Sequence, residues 1–139
     1  MGLVHAQIEL VNTKDVFLSE EGYIKSDEIR KMNLEVLVDT GAYMFCINET
    51  IKLQLGLKVI GHEIAELANG HKETYEIVGP VTINFANRQT ICRAFVLPGD
   101  SVPLLGAIPM EDMDVLVHPR TQQLLVNPDH PNIPQKSLR

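Results

Sequence analysis

Val4, Ala6, Ile8 and Leu10 alternate with His5, Gln7 and Glu9, the period-2 pattern of a strand with one face in a core. Leu34-Glu35-Val36-Leu37-Val38 predicts another strand, running straight into Asp39-Thr40-Gly41. The acidic stretch between them, from Val16 to Ile29, carries Ser and Gly and predicts a long loop or loose hairpin. Asn48 can cap a short helix reaching Leu55, with Gly56 just past its end. Ile51 and Leu55 then share a face, and Leu57 folds back toward Ile51. Asn69-Gly70 signals a hairpin, because a type I′ turn needs positive φ at both central residues. A two-residue loop there pairs Leu67 with Lys72 and Glu66 with Glu73. The second pair sets like charges opposite each other, so the register is left open or the hairpin stands free in solvent.

Further along, Val81, Ile83 and Phe85 alternate, Asn87-Arg88-Gln89 reads as a polar turn, and Ile91 to Leu97 reads as a strand. Val115–Val117 and Leu124–Val126 flank a turn at Pro119-Arg120-Thr121. Strands at this spacing, with a single good helix, predict a β-rich domain over residues 1–127. Pro128, Pro131 and Pro134 then mark residues 128–139 as a polar, Pro-rich tail.

Composition narrows the function classes. The chain has 139 residues, 45% hydrophobic and 22% charged, the balance of one folded domain. Twelve Lys and Arg against 18 Asp and Glu give a net charge of −6, so no basic stripe for nucleic acid is expected. The opening Met1-Gly2-Leu3-Val4-His5-Ala6 lacks the basic and apolar regions of a secretory signal, and Ala6 stands where a myristoylation signal carries Ser or Thr. Pro103 and Pro109 interrupt the greasiest stretch, 101–110, which is too short to cross a membrane. A cytoplasmic location is expected. Cys46 and Cys92 fit neither a metal site nor a disulfide framework and read as small buried hydrophobes. The five His residues are scattered, and no phosphate loop or Ser elbow is present, so no cofactor and no metal is expected. Asp112 and Asp114 flank Met113 and are expected to face solvent.

Candidate chemistry gathers at Asp39-Thr40-Gly41. A carboxylate directly after an apolar strand sits where strand gives way to loop, with Leu37 and Val38 as apolar walls. Thr40 adds a hydroxyl, and Gly41 permits close backbone approach. Taken alone, the tripeptide is equally an ordinary turn opened by Asp.

In its wider setting the sequence resembles the retroviral-type (retropepsin-like) aspartic proteases, particularly their small bacterial members. Val36-Leu37-Val38-Asp39-Thr40-Gly41-Ala42 has the form of that family's catalytic loop. The helix from Asn48 to Leu55 is similar to the element after that loop in bacterial members, and Asn69-Gly70 falls where the family carries a mobile flap. Leu104-Leu105-Gly106-Ala107 resembles the family's second-half glycine motif, with a short helix over Ile108 to Met113 next and Pro109 in its first turn. The likeness runs from Val4 to Pro128. Gly41-Ala42 and Gly106-Ala107 also echo each other 65 residues apart, as the halves of a duplicated fold do and as two such pairs can by chance. Viral members often place an acid and an Arg where this chain has Tyr43 and Ala107, which implies a differently built subsite wall.

The resemblance implies an all-β fold, a closed barrel forming half of an acid protease, with one or two short helices. It implies an aspartic endopeptidase acting on an extended peptide. Hydrolysis of this kind needs two carboxylates around one water, and the chain has one Asp-Thr-Gly, so a homodimer with one Asp39 per subunit is implied. Thr40 and Gly41 orient the loop, with Thr40 bonding across the dimer axis. Ala42, Tyr43, Asn69, Gly70 and His71 contact substrate, and Leu104, Leu105 and Gly106 are structural. A peptide-binding or dimerisation module that has kept the fold without catalysis is the alternative.

Overall fold

The alternation in the first strand becomes a wall of the core. A computed structural model describes residues 3–138. Met1 and Gly2, part of the segment read for signals, lie outside the described residues, as does Arg139. Strand β1 (Val4–Asn12) buries Ala6, Ile8 and Leu10 and exposes His5 and Gln7. It pairs antiparallel with β2 (Lys31–Val38), Val4 opposite Val38. The short β7 (Leu104–Leu105) runs parallel to β2 and sits between it and β3 (Phe45–Asn48). Strand β3 is parallel to β6 (Arg88–Leu97), which is antiparallel to the 14-residue β5 (Lys72–Phe85). Residues 81–84 of β5 return to pair with 9–12 of β1. The order β1-β2-β7-β3-β6-β5 thus closes on itself, and β4 (Val59–Glu66) projects with β5 as a hairpin. Closure leaves few open strand edges. The all-β barrel is the expected fold. Leu10, Val36, Phe45, Ile47, Val81, Ile83 and Leu105 fill its interior.

Three α-helices are present among the described residues, where one or two were expected. α2 (Glu49–Leu55) starts and stops as anticipated: the Asn48 side chain accepts from the Ile51 amide at 2.9 Å. Gly56 takes φ 61°, and the Gly56 and Leu57 amides return to Leu53 and Lys52. That paired bonding is a Schellman stop. α3 (Ala107–Met113) includes Pro109 in its first turn. The unexpected helix is α1 (Thr13–Glu20), in the stretch read as a loop. Its cause is Asn12, whose Oδ1 accepts from the Asp15 amide at 3.1 Å. Asp15 in turn receives the Arg30 amide, Nε and Nη2 at 2.8–3.0 Å, tying the helix to the start of β2.

Two local readings are corrected. The β4–β5 hairpin pairs Glu66 with Lys72 and Ala65 with Glu73, so its register differs by one residue from the two-residue loop. The Gly70 amide donates to Leu67, and only Gly70 takes positive φ, which leaves a three-residue loop of Ala68, Asn69 and Gly70. The like-charge facing of Glu66 and Glu73 is thereby replaced by an opposite-charge one. Arg88 is also misread as a turn residue. The turn is Ala86-Asn87, Phe85 faces Arg88, and Arg88 lies inside β6 at 2% exposure.

Strands β8 (Val115–Val117) and β9 (Leu124–Val126) form a separate two-stranded sheet around the expected Pro119 turn. Residues 127–138 contain no helix or strand, yet several of their groups are bonded to Asn87 in the β5–β6 turn and to Asp114 at the end of α3. No helix among the described residues is long and apolar enough to cross a membrane.

Candidate active site

Asp39 is held where β2 ends. Parallel pairing of β2 with β7 lets the Leu105 carbonyl accept the Asp39 amide at 3.0 Å. The chain then turns back sharply, the Ala42 amide donating to the Asp39 carbonyl at 3.1 Å. Within that turn the Gly41 amide donates to Asp39 Oδ1 at 3.0 Å, fixing the carboxylate's direction. A Cβ on residue 41 would lie 3.2 Å from the same oxygen, so glycine leaves the carboxylate room. Asp39 ends up half-buried.

The glycine motif supports this loop from beneath. Leu105 is fully buried, and Leu104 pairs with Leu37 on one side and Cys46 on the other. A Cβ at Gly106 would fall 2.4 Å from the Met44 carbonyl oxygen, a contact with backbone that no rotamer relieves. The close approach lets the first amides of α3 reach the loop. Ala107 donates to the Ala42 carbonyl at 2.8 Å and Ile108 to that of Tyr43 at 2.9 Å. The two Gly-Ala pairs, 65 residues apart in sequence, are thus bonded to each other.

Two depressions flank the loop. On one side Gly41, Ala42, Tyr43 and Met44 face Ile64, Ala65 and Glu66 of the hairpin across a cleft of about 440 Å³, with Cys46 and Phe95 completing the lining. Glu66 is its only charged lining residue among the described residues. Tyr43 is 75% exposed at its edge. On the other side Thr40, itself exposed, opens onto a mostly apolar groove shared with Ala107, Met110, Glu111 and β8. Asn69, Gly70 and His71 are exposed at the hairpin tip, where the His71 amide donates to Asn69 Oδ1, and none of the three lines the cleft.

Cys46, Ile64 and Phe95 line the cleft without having been read as site residues. No local signal marks them, because Cys46 and Phe95 become neighbours only through the parallel β3–β6 pairing. Burial first, and the nearby Asp39 charge second, push the Cys46 thiol up to about 11. Cys92 is pushed up to about 12 by burial and then by Asp112. Both are half-buried free thiols rather than fully buried ones. Asp114, expected in solvent, is instead bound by Asn127, His130 and Gln135. Among the described residues no three His, Cys, Asp or Glu cluster closely enough to hold a metal ion.

A closed barrel that presents an Asp-Thr-Gly loop beside a projecting hairpin, with a Leu-Leu-Gly strand paired alongside it, defines the acid-protease class of fold. The sequence model described as Aspartyl protease matches residues 26–126, from the approach to β2 through the end of β9, and the chain belongs to that family. A search of curated proteins found no match.

Proposed function

We propose that the protein is a homodimeric aspartic endopeptidase in which two Asp39 carboxylates, one per subunit, activate a single water. The observation that carries this reading is the orientation of the Asp39 carboxylate by the Gly41 amide at 3.0 Å, beside a cleft roofed by a hairpin. One such loop per chain supplies half of a two-carboxylate centre, and a twofold axis beside Asp39 supplies the rest. Two carboxylates about 3 Å apart hold one shared proton, because both cannot ionise cheaply. The ionised member takes a proton from the water as it attacks the peptide carbonyl, and the protonated member donates to the carbonyl oxygen.

The remaining residues have roles consistent with their positions. Thr40, exposed beside the loop, bonds to its counterpart across the axis and holds the two loops together. An extended peptide lies in the cleft against Ala42 and Tyr43, and the hairpin tip at Asn69, Gly70 and His71 closes over it, adding main-chain hydrogen bonds and excluding water. Two free thiols with no disulfide suit the reducing cytoplasm.

The test is a peptide library digested by wild type and Asp39→Asn across acidic to neutral pH. The expected result is a bell-shaped profile for wild type, falling on dilution, with loss of turnover in the variant. Full activity of Asp39→Asn overturns the assignment. Binding without turnover in both proteins would instead identify a non-catalytic peptide-binding module.

A further inference from the structure

We infer that Asp114 is a positioning residue for the Asp39 loop, acting through α3 and held in place by a strap formed by residues 127–135. Its effect on turnover rests on the peptidase reading above; its effect on the loop does not. Asp114 closes α3 in a left-handed conformation, φ 55°. Its Oδ1 accepts from Asn127 Nδ2 at 3.0 Å, while Oδ2 accepts the Gln135 amide at 3.0 Å and meets His130 Nδ1 at 2.7 Å. Its carbonyl accepts the Asn127 amide at 3.1 Å. One carboxylate therefore gathers both ends of the segment.

The barrel holds the middle of the strap. Asn87 Nδ2 donates to the carbonyls of Pro131 and Asn132 at 2.8 and 3.2 Å. Arg88 Nη2 donates to the His130 carbonyl and lies 3.8 Å from Asp114 Oδ2. The Arg88 guanidinium is fully buried, and its Nε and Nη1 have no partner among the described residues. Opening the strap would leave that charge with fewer partners still, so the closed arrangement is strongly favoured.

The other end of α3 is the end that bonds the Ala42 and Tyr43 carbonyls. Seven residues span only about 10 Å, so the helix is a short rigid strut with the strap at one end and the loop carrying Asp39 at the other. Met110 and Met113 in the core, and the Thr90 to Asp112 hydrogen bond of 2.5 Å, anchor its middle. Releasing Asp114 therefore shifts or tilts the strut without melting it. Asp114 is kept ionised down to about 2, chiefly by the Gln135 amide and then by Asn127, so the strap stays fastened under acidic conditions.

The experiment uses full-length Asp114→Asn, Gln135→Pro and Asn87→Ala. Asp114→Asn keeps one acceptor and tolerates the left-handed backbone, Gln135→Pro removes one strap amide without touching α3, and Asn87→Ala removes two strap bonds. Hydrogen exchange at the Ala107 and Ile108 amides reports the strut's hold on the loop, and exchange at Asn127 and His130 reports the strap. The expected result is exchange at Ala107 and Ile108 faster on the order of tenfold, with β1 amides unchanged. kcat should fall by a similar factor while KM stays within about twofold. A strap shown to be open, with Ala107 and Ile108 protection and kcat at wild-type values, overturns the inference. Should Asp114→Asn fail to fold, the other two variants decide it. Should the wild type lack turnover, the peptidase reading fails separately and the exchange data still decide the positioning role.

Discussion

The Ala107 amide donates to the Ala42 carbonyl at 2.8 Å, joining the residue after the second glycine to the residue after the first. The bond exists because Gly106 has no side chain. An added Cβ would meet the Met44 carbonyl at 2.4 Å and the Tyr43 carbonyl carbon at 2.7 Å, both backbone atoms. Gly106→Ala should therefore push the two loops apart, destabilising the fold by roughly 1–3 kcal/mol. Urea unfolding measures the cost. Activity should fall further than stability alone explains, since the displaced loop carries Asp39. Wild-type turnover in a Gly106→Ala protein would refute this account of the glycine.

Two other glycines separate backbone strain from crowding. Gly70 takes φ 85° with nothing within 4 Å of a Cβ, so Gly70→Ala should cost only about 1 kcal/mol, through the left-handed backbone. Gly56 takes φ 61°, and its Cβ would sit 1.8 Å from Arg30 Nη1. Gly56→Ala must therefore also move the Arg30 guanidinium, loosening its hold on Asp15. Unfolding measurements should show Gly56→Ala as the more damaging, and Asp15→Ala should shrink the difference between the two glycine variants.

Acid should unfold the protein through particular carboxylates. Asp15, its side chain 5% exposed, is held below the ordinary value of 3.8 mainly by the Arg30 side-chain hydrogen bonds. Asp114 is held at about 2. Both folded values lie below the unfolded ones, so the stability they contribute is present above 3.8 and is lost as pH falls through the folded values. Asp15→Asn should cost about 1.5–3 kcal/mol at neutral pH, the range for hydrogen bonds to a charged group. Urea titrations should show a steep loss in wild type between 3.8 and about 2 that is flatter in the Asp15→Asn, Asp114→Asn double variant.

The elements legible in the sequence were those whose cause is local. Alternation placed β1, a capping Asn and a terminal Gly bounded α2, and the apolar run into Asp39-Thr40-Gly41 located the loop at the end of β2. Asn12 is the same kind of cap as Asn48 and could have announced α1. The exposed Phe17 and weak apolar periodicity of that segment hid it. The hairpin register turned on a choice between loop lengths, and the Glu66–Glu73 clash was already an argument against the two-residue form. Arg88 and Asp114 were illegible because their partners lie 13 to 42 residues away, in a segment with no helix or strand to announce it. The cleft residues Cys46 and Phe95 likewise meet only through long-range pairing.

Cys46 offers a view of the site that does not depend on turnover. Its thiol lines the cleft and is raised to about 11, by burial first and by the Asp39 charge second. The thiolate is the form that reacts with alkylating agents, so modification at neutral pH should be slow and should rise about tenfold per pH unit toward that value. Removing the Asp39 charge lowers the cost of a neighbouring thiolate. Asp39→Asn should therefore speed alkylation of Cys46 at a fixed alkaline pH, while Cys92, raised by burial and Asp112, should keep its rate. Mass spectrometry of the two cysteine-bearing peptides separates them. On the peptidase reading, an extended peptide seated in the cleft should protect Cys46 in the Asp39→Asn protein, which would not cleave it. Equal Cys46 rates in wild type and variant would show that the Asp39 charge does not reach the thiol.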